Sequence, residues 1–234
     1  PLEVATAYAT LANGGYRVEP YLIQRIEDLA GNTVFEAEPA TVCRDCEAGA
    51  EPRAGSSAEL SMEEILRETT RPEAPRVMDE RVHFIVDSML MDVIKRGTGR
   101  KALVLERGDI AGKTGTTNGP VDAWFSGYNP DVVTTTWVGF DDYQKLGRRE
   151  FGGTAALPIW INYMREALRG VPGRERVLPP GISNVRIDPA TGLLAPAGAD
   201  NAIFEFFRND NLPPASEEET TGLKGTDDLL REIF

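Results

Sequence analysis

Histidine is almost missing from this chain: His83 is the only one. Cysteine is nearly as scarce, with Cys43 and Cys46 forming a single C-x-x-C. A structural zinc site needs about four ligands, and these residues cannot fill one. No metal or cofactor is expected. The C-x-x-C is left as either a local disulfide of an oxidising compartment or two free thiols. No apolar run reaches the roughly 18–20 residues that span a bilayer, and no signal-peptide pattern opens the chain. Positive charge is also short, with 25 basic residues against 37 acidic ones and a net charge of −12. Such a surface repels phosphate backbones, which argues against nucleic acid as a partner. One further absence concerns chemistry. None of Ser56, Ser57, Ser61, Ser88, Ser126, Ser183 and Ser216 has a lysine three residues on, and no Ser-x-Asn occurs.

What is present has clear periodicity. Residues 2–12 follow Pro1 as a helix that stops at Asn13-Gly14-Gly15. With no initiator Met ahead of it, this run is expected to begin inside a longer polypeptide, with a membrane anchor in the part that precedes it. Residues 16–36 alternate apolar and polar around a turn near Gly31-Asn32, predicting a hairpin. A loop-rich insertion is expected over about 37–75, with a short helix at Ser61–Glu68. Asp79 then caps a helix whose Val82, Ile85, Val86, Met89, Leu90, Val93 and Ile94 keep the 3.6-residue period, ending at Gly97. Three strands follow, Ile110–Thr117, Val121–Tyr128 and Val132–Phe140, joined by short turns and therefore antiparallel. A helix is predicted over Ala155–Leu168, with Pro158 in its first turn. Composition shifts after Gly170. The spacing expects one domain over 1–170 and a C-terminal extension over 171–234. In that extension Ile182–Ile187 pairs with Leu193-Leu194, Ala202–Arg208 is helical, Ser216–Thr221 is disordered, and 226–234 is a short helix.

The chemistry concentrates in Lys113-Thr114-Gly115-Thr116-Thr117, on the first of the three strands. Alternation puts Thr114 and Thr116 on one face and Lys113 on the other. Two hydroxyls so spaced can hold one carboxylate. Gly115 lets a substrate backbone come close, and the Thr116 N–H can point at a developing oxyanion. Lys113 adds positive potential and can carry a proton. A phosphate-binding P-loop is excluded. Gly108 stands one residue too near Gly112, and Gly115, Gly119 and Pro120 forbid the helix that must follow. His83, Trp124, Phe125, Asp122 and the pair Asp141-Asp142 read as structural.

A Lys-Thr-Gly triplet is one of three marks of serine acyl-transfer enzymes that act on penicillin-like substrates. Lys113–Thr117, the Asp122–Tyr128 strand, Ala5–Gly15 with Tyr16, Gly97-Thr98-Gly99, Trp137–Asp141, Gly153–Trp160 and the Ile187–Gly192 turn resemble class A penicillin-binding proteins of the PBP1a type. The resemblance implies a mixed α/β (α+β) fold, an antiparallel sheet flanked by helices, incomplete in this chain. It implies a segment of a bifunctional peptidoglycan synthase at the periplasmic side of the bacterial inner membrane. That enzyme cross-links D-Ala-D-Ala stem peptides through an acyl-enzyme and is acylated by β-lactams. Its partners would be stem peptides, β-lactams and activator or cell-wall proteins. On the matching positions, Lys113 and Thr116 are the expected catalytic residues, and Thr114, Gly115, Thr116 and Thr117 the expected substrate-binding ones. The nucleophile, its base and the glycosyltransferase domain are expected outside this chain. A non-catalytic partner-binding module that keeps the fold, or a β-lactamase, are the alternative readings.

Overall fold

The computed structural model describes residues 1–42 and 72–216. They form two compact units, Pro1–Arg176 and the residues from Val177 on. In the first unit α1 (Leu2–Ala12) precedes a small hairpin, β1 (Arg25–Glu27) and β2 (Thr33–Glu36). Then come α2 (Glu80–Lys95), a 3₁₀ turn (Arg100–Leu105), and a sheet of β3 (Ala111–Thr116), β4 (Asp122–Tyr128) and β5 (Val133–Gly139). A π-helical turn (Gly152–Ala156) leads into α3 (Leu157–Ala167). Cys43, Cys46, the helix expected at Ser61–Glu68 and the tail from 217 lie outside the described residues.

The hydrophobic period made α2 and α3, and local chemistry set their ends. The Asp79 carboxylate accepts the Arg81 and Val82 N–H groups that open α2. Pro158 sits in the first turn of α3, directly after the π-helical turn. The sheet has the order β3-β4-β5, antiparallel throughout. Register fixes its two faces. Phe125 and Gly127 point to α3, where the Phe125 ring meets Trp160 edge-on at 4.9 Å and Trp160 Nε1 donates to the Thr134 carbonyl at 3.0 Å. Ile94, Ala102, Ile110, Leu157, Ile161, Met164 and Leu168 complete this core. Burying a side chain such as Phe125 stabilises the fold by about 1.5–3 kcal/mol.

Trp124, Ser126 and Tyr128 point to the other face, toward α1 and α2. Tyr128 meets Tyr8 of α1 edge-on at 6.3 Å and donates its hydroxyl to buried Asp87 of α2 at 2.7 Å. Burial and then the Asp87 charge push the Tyr128 phenol far above the usual tyrosine range. His83 Nε2 lies 2.6 Å from the Leu11 carbonyl and ties α2 to α1.

Composition changes at Gly170, yet the unit continues to Arg176 because side chains strap the following segment down. Arg107 donates to the Val171 and Pro172 carbonyls, Arg174 pairs with Asp131, and Arg176 grips Asp87 through Nε at 2.7 Å and a second guanidinium nitrogen at 3.2 Å.

In the second unit β6 (Ile182–Ile187) pairs antiparallel with β7 (Ile203–Arg208). The helical reading of 202–208 is corrected: Ile203, Phe204, Phe206 and Phe207 suit a pleated surface, and seven residues are too few for a stable isolated helix. Leu194 makes only a single bridge to Ile187 and another to Ala215. Within the first hairpin, strand geometry is confined to β1 and β2. Tyr16 instead bridges Arg76, whose guanidinium lies 4.2 Å from its ring centroid.

Candidate active site

β3 is an edge strand, and among the described residues no strand flanks its outer side. Which backbone groups face outward follows from one hydrogen bond. The Thr117 N–H donates to the Asp122 carbonyl at 3.2 Å, toward β4. N–H and C=O directions alternate along an antiparallel strand, so those of Thr114 and Thr116 face the open side. Lys113 agrees with this: its exposed ammonium curls to the Thr114 carbonyl at 2.9 Å.

Side chains divide as alternation requires. Lys113 lies opposite Ser126, on the face shared with α1 and α2. Thr114 lies opposite Phe125 and Thr116 opposite Ala123, on the α3 face. The Thr114 hydroxyl sits 2.7 Å from the Thr98 hydroxyl. Thr116 Oγ1 accepts the Gly152 N–H at 3.0 Å. Since that oxygen accepts from behind, its own proton is left to donate, and among the described residues it meets no acceptor. Gly115 lies flat against Trp124, whose Cβ would be 3.1 Å from any Cβ placed there. Gly152 has still less room. A Cβ on it would fall 2.4 Å from the Trp124 carbonyl oxygen and 2.6 Å from that of Gly115. The turn leading into α3 therefore rests directly on the backbone of the motif strand.

Of the residues singled out in the sequence, Lys113, Thr114, Gly115 and Thr116 follow one another along the edge, Lys113 and Thr116 exposed and Thr114 and Gly115 half-buried. Thr117 does not join them. Its hydroxyl oxygen accepts the Val121 and Asp122 N–H groups at 3.3 and 3.0 Å and closes the β3–β4 turn. Asp122 is occupied as well, accepting Trp137 Nε1 at 2.9 Å. Sequence reasoning assigned no role to Thr98 or Gly152. The glycines beside each were the available signal, because Gly97-Thr98-Gly99 and Gly152-Gly153 mark close backbone approaches.

The Lys-Thr-Gly motif is a mark of penicillin-interacting acyl-transfer enzymes, and here it lies on the edge strand of an antiparallel sheet packed between helices. Comparison with known proteins agrees. The family described as penicillin binding protein transpeptidase domain matches residues 1–164. Penicillin-binding protein 1A of Pseudomonas aeruginosa is 47% identical over 95% of this chain and 29% of its own length. The protein of that name from Vibrio cholerae is 38% identical over 91% of this chain and 28% of its own. The crystal structure of penicillin-binding protein 1A from Haemophilus influenzae superposes with a TM-score of 0.77 at 37% identity, covering 92% of this chain and 33% of that one. This chain belongs to the penicillin-binding protein transpeptidase family. It spans less than a third of the length of the curated relatives it matches.

Proposed function

We propose that this chain supplies one wall of the acylation cleft of a serine-type D-Ala-D-Ala transpeptidase, within a bifunctional peptidoglycan synthase on the periplasmic side of the inner membrane. The observation that carries the reading is the open β3 edge, where an outward Thr116 N–H stands beside the Thr114 and Thr116 hydroxyls and the Lys113 ammonium. A stem peptide lies along this edge as an added strand. Its terminal carboxylate takes the hydroxyl protons of Thr114 and Thr116, with Lys113 supplying positive potential.

A serine oxygen from outside this chain adds to the carbonyl carbon of the penultimate D-Ala. The carbonyl oxygen becomes an oxyanion, which the Thr116 N–H receives. Collapse breaks the C–N bond, and the terminal D-Ala leaves as the amine, taking the proton given up by the serine. The acceptor stem's amine then attacks the ester carbonyl, and the serine oxygen leaves and regains a proton. A β-lactam follows the first half only: its ring C–N bond breaks, but the amine stays attached and blocks the acceptor. One preorganised oxyanion donor is worth about 3–4 kcal/mol.

The test is covalent labelling of the full-length polypeptide by fluorescent penicillin. Thr116→Val keeps the shape of the side chain and removes the donor. Acylation is expected to slow about tenfold to a hundredfold, the range of a hydrogen bond to a charged group. An unchanged rate refutes the carboxylate role. Labelling of the 234-residue chain by itself would place the nucleophile inside it and overturn the division of the cleft.

A further inference from the structure

The two glycines around Thr98 leave it little freedom. A Cβ on Gly97 would meet Val93 Cα at 2.8 Å, and one on Gly99 would meet Ile94 Cδ1 at 2.8 Å and the Val93 carbonyl oxygen at 3.1 Å. Their N–H groups cap the end of α2, Gly97 donating to the Asp92 carbonyl at 3.0 Å and Gly99 to that of Val93 at 2.9 Å. The loop is thus folded down onto the last turn of a helix that packs on β3. On its other side Gly153 comes close, since a Cβ there would lie 3.2 Å from the Thr98 carbonyl oxygen. Thr98 is exposed and presents its hydroxyl 2.7 Å from that of Thr114.

Two hydroxyls carry two protons, and the bond between them uses one. We propose that Thr98 is a positioning residue of the carboxylate subsite: it donates to Thr114 Oγ1 and so turns the Thr114 proton out toward the ligand. The inference rests on the carboxylate role assigned above to Thr114 and Thr116. It gives that role a symmetry, for each threonine oxygen accepts from a donor behind it, Thr98 for Thr114 and the Gly152 N–H for Thr116. Both protons then face one way, two residues apart on the strand, matched to the two oxygens of a carboxylate. Hydrogen bonds in such a chain polarise one another, so a donor behind Thr114 makes it a better donor in front.

The test uses the full-length polypeptide and two ligands, benzylpenicillin and its methyl ester, and reads the ratio of their acylation rates. The ester keeps the reactive lactam and lacks the carboxylate. Thr98→Val is expected to lower the acid-to-ester ratio about three- to tenfold, the range of one net hydrogen bond. Thr98→Ser, which keeps the hydroxyl, is expected to restore it. A structural role for Thr98 would slow both ligands alike, and that result overturns the proposal. Thr116→Val is run alongside. If it lowers the ratio and Thr98→Val does not, the carboxylate subsite stands and Thr98 has no part in it. If neither variant moves the ratio, both readings fall.

Discussion

The Asp87–Arg176 pair offers the sharpest test of how the fold is held. Asp87 is 3% exposed and accepts from Tyr128 and, through a two-nitrogen fork, from Arg176. Breaking a buried ion pair by removing one partner costs about 3–5 kcal/mol, because the other charge is stranded. Asp87→Asn strands Arg176, whose side chain keeps 18% of its surface in water, so a loss near the lower end, about 3 kcal/mol, is expected. Arg176→Met strands a carboxylate only 5% exposed, and about 4–5 kcal/mol is expected. The triple replacement Asp87→Leu, Arg176→Met, Tyr128→Phe removes the charges and the orphaned hydroxyl together. It should return to within about 1 kcal/mol of the parent or exceed it, since apolar substitutes for buried pairs are often neutral or stabilising. Urea unfolding reads all three. With a slope of about 2 kcal/mol/M, a 3 kcal/mol loss moves the midpoint by about 1.5 M. Two single variants that each lose under about 1 kcal/mol, with the losses adding in combination, would refute a desolvated, mutually dependent pair.

Gly152→Ala drives a methyl into two carbonyl oxygens, and backbone on both sides cannot yield. It should destabilise by about 1–3 kcal/mol, measured as a urea midpoint, and should slow acylation of the full-length protein by shifting the donor to Thr116; a silent substitution would mean the turn does not rest on the strand. Asp109 supplies a pH dependence. Burial pushes its carboxyl up, but the Arg107 guanidinium and the Arg174 N–H outweigh that and hold it below 3.8. A lowered folded-state value means that stability is fully present above pH 3.8 and drains away as pH falls below it toward the folded value. Asp109→Asn should therefore flatten the acid limb of the stability–pH curve, and an identical limb in both proteins would exclude Asp109 as its source.

The elements that carry the motif were legible in the sequence because each has a local signature. The 3.6-residue period of Val82–Ile94 wrote α2, and short β-branched and aromatic runs between turns wrote β3, β4 and β5. The face assignment of Lys113 against Thr114 and Thr116 needed only the two-residue period. What was hidden depends on long separations. Tyr128 meets Asp87 across 41 residues and Arg176 meets it across 89. No window covers such distances, so the compact unit was expected to end at 170 where composition changes. Thr98 and Thr114 are only 16 residues apart, yet their meeting depends on how α2 docks on β3. The run 202–208 was misread because its aromatic residues satisfy short helical and extended patterns alike, and only the pairing with Ile182–Ile187 decides between them.

A sheet border left unfilled among the described residues is open to unintended pairing, including with the same border of a neighbouring molecule. Such borders are where folded proteins begin to aggregate. Here the risk is countered at the spot where it arises. Lys113 parks its ammonium on the outward carbonyl of Thr114, placing on the border itself the kind of charge that discourages strand pairing. The net charge of −12 adds a longer-ranged repulsion between whole molecules. The same lysine that we propose welcomes a carboxylate thus turns away a second copy of the strand that carries it.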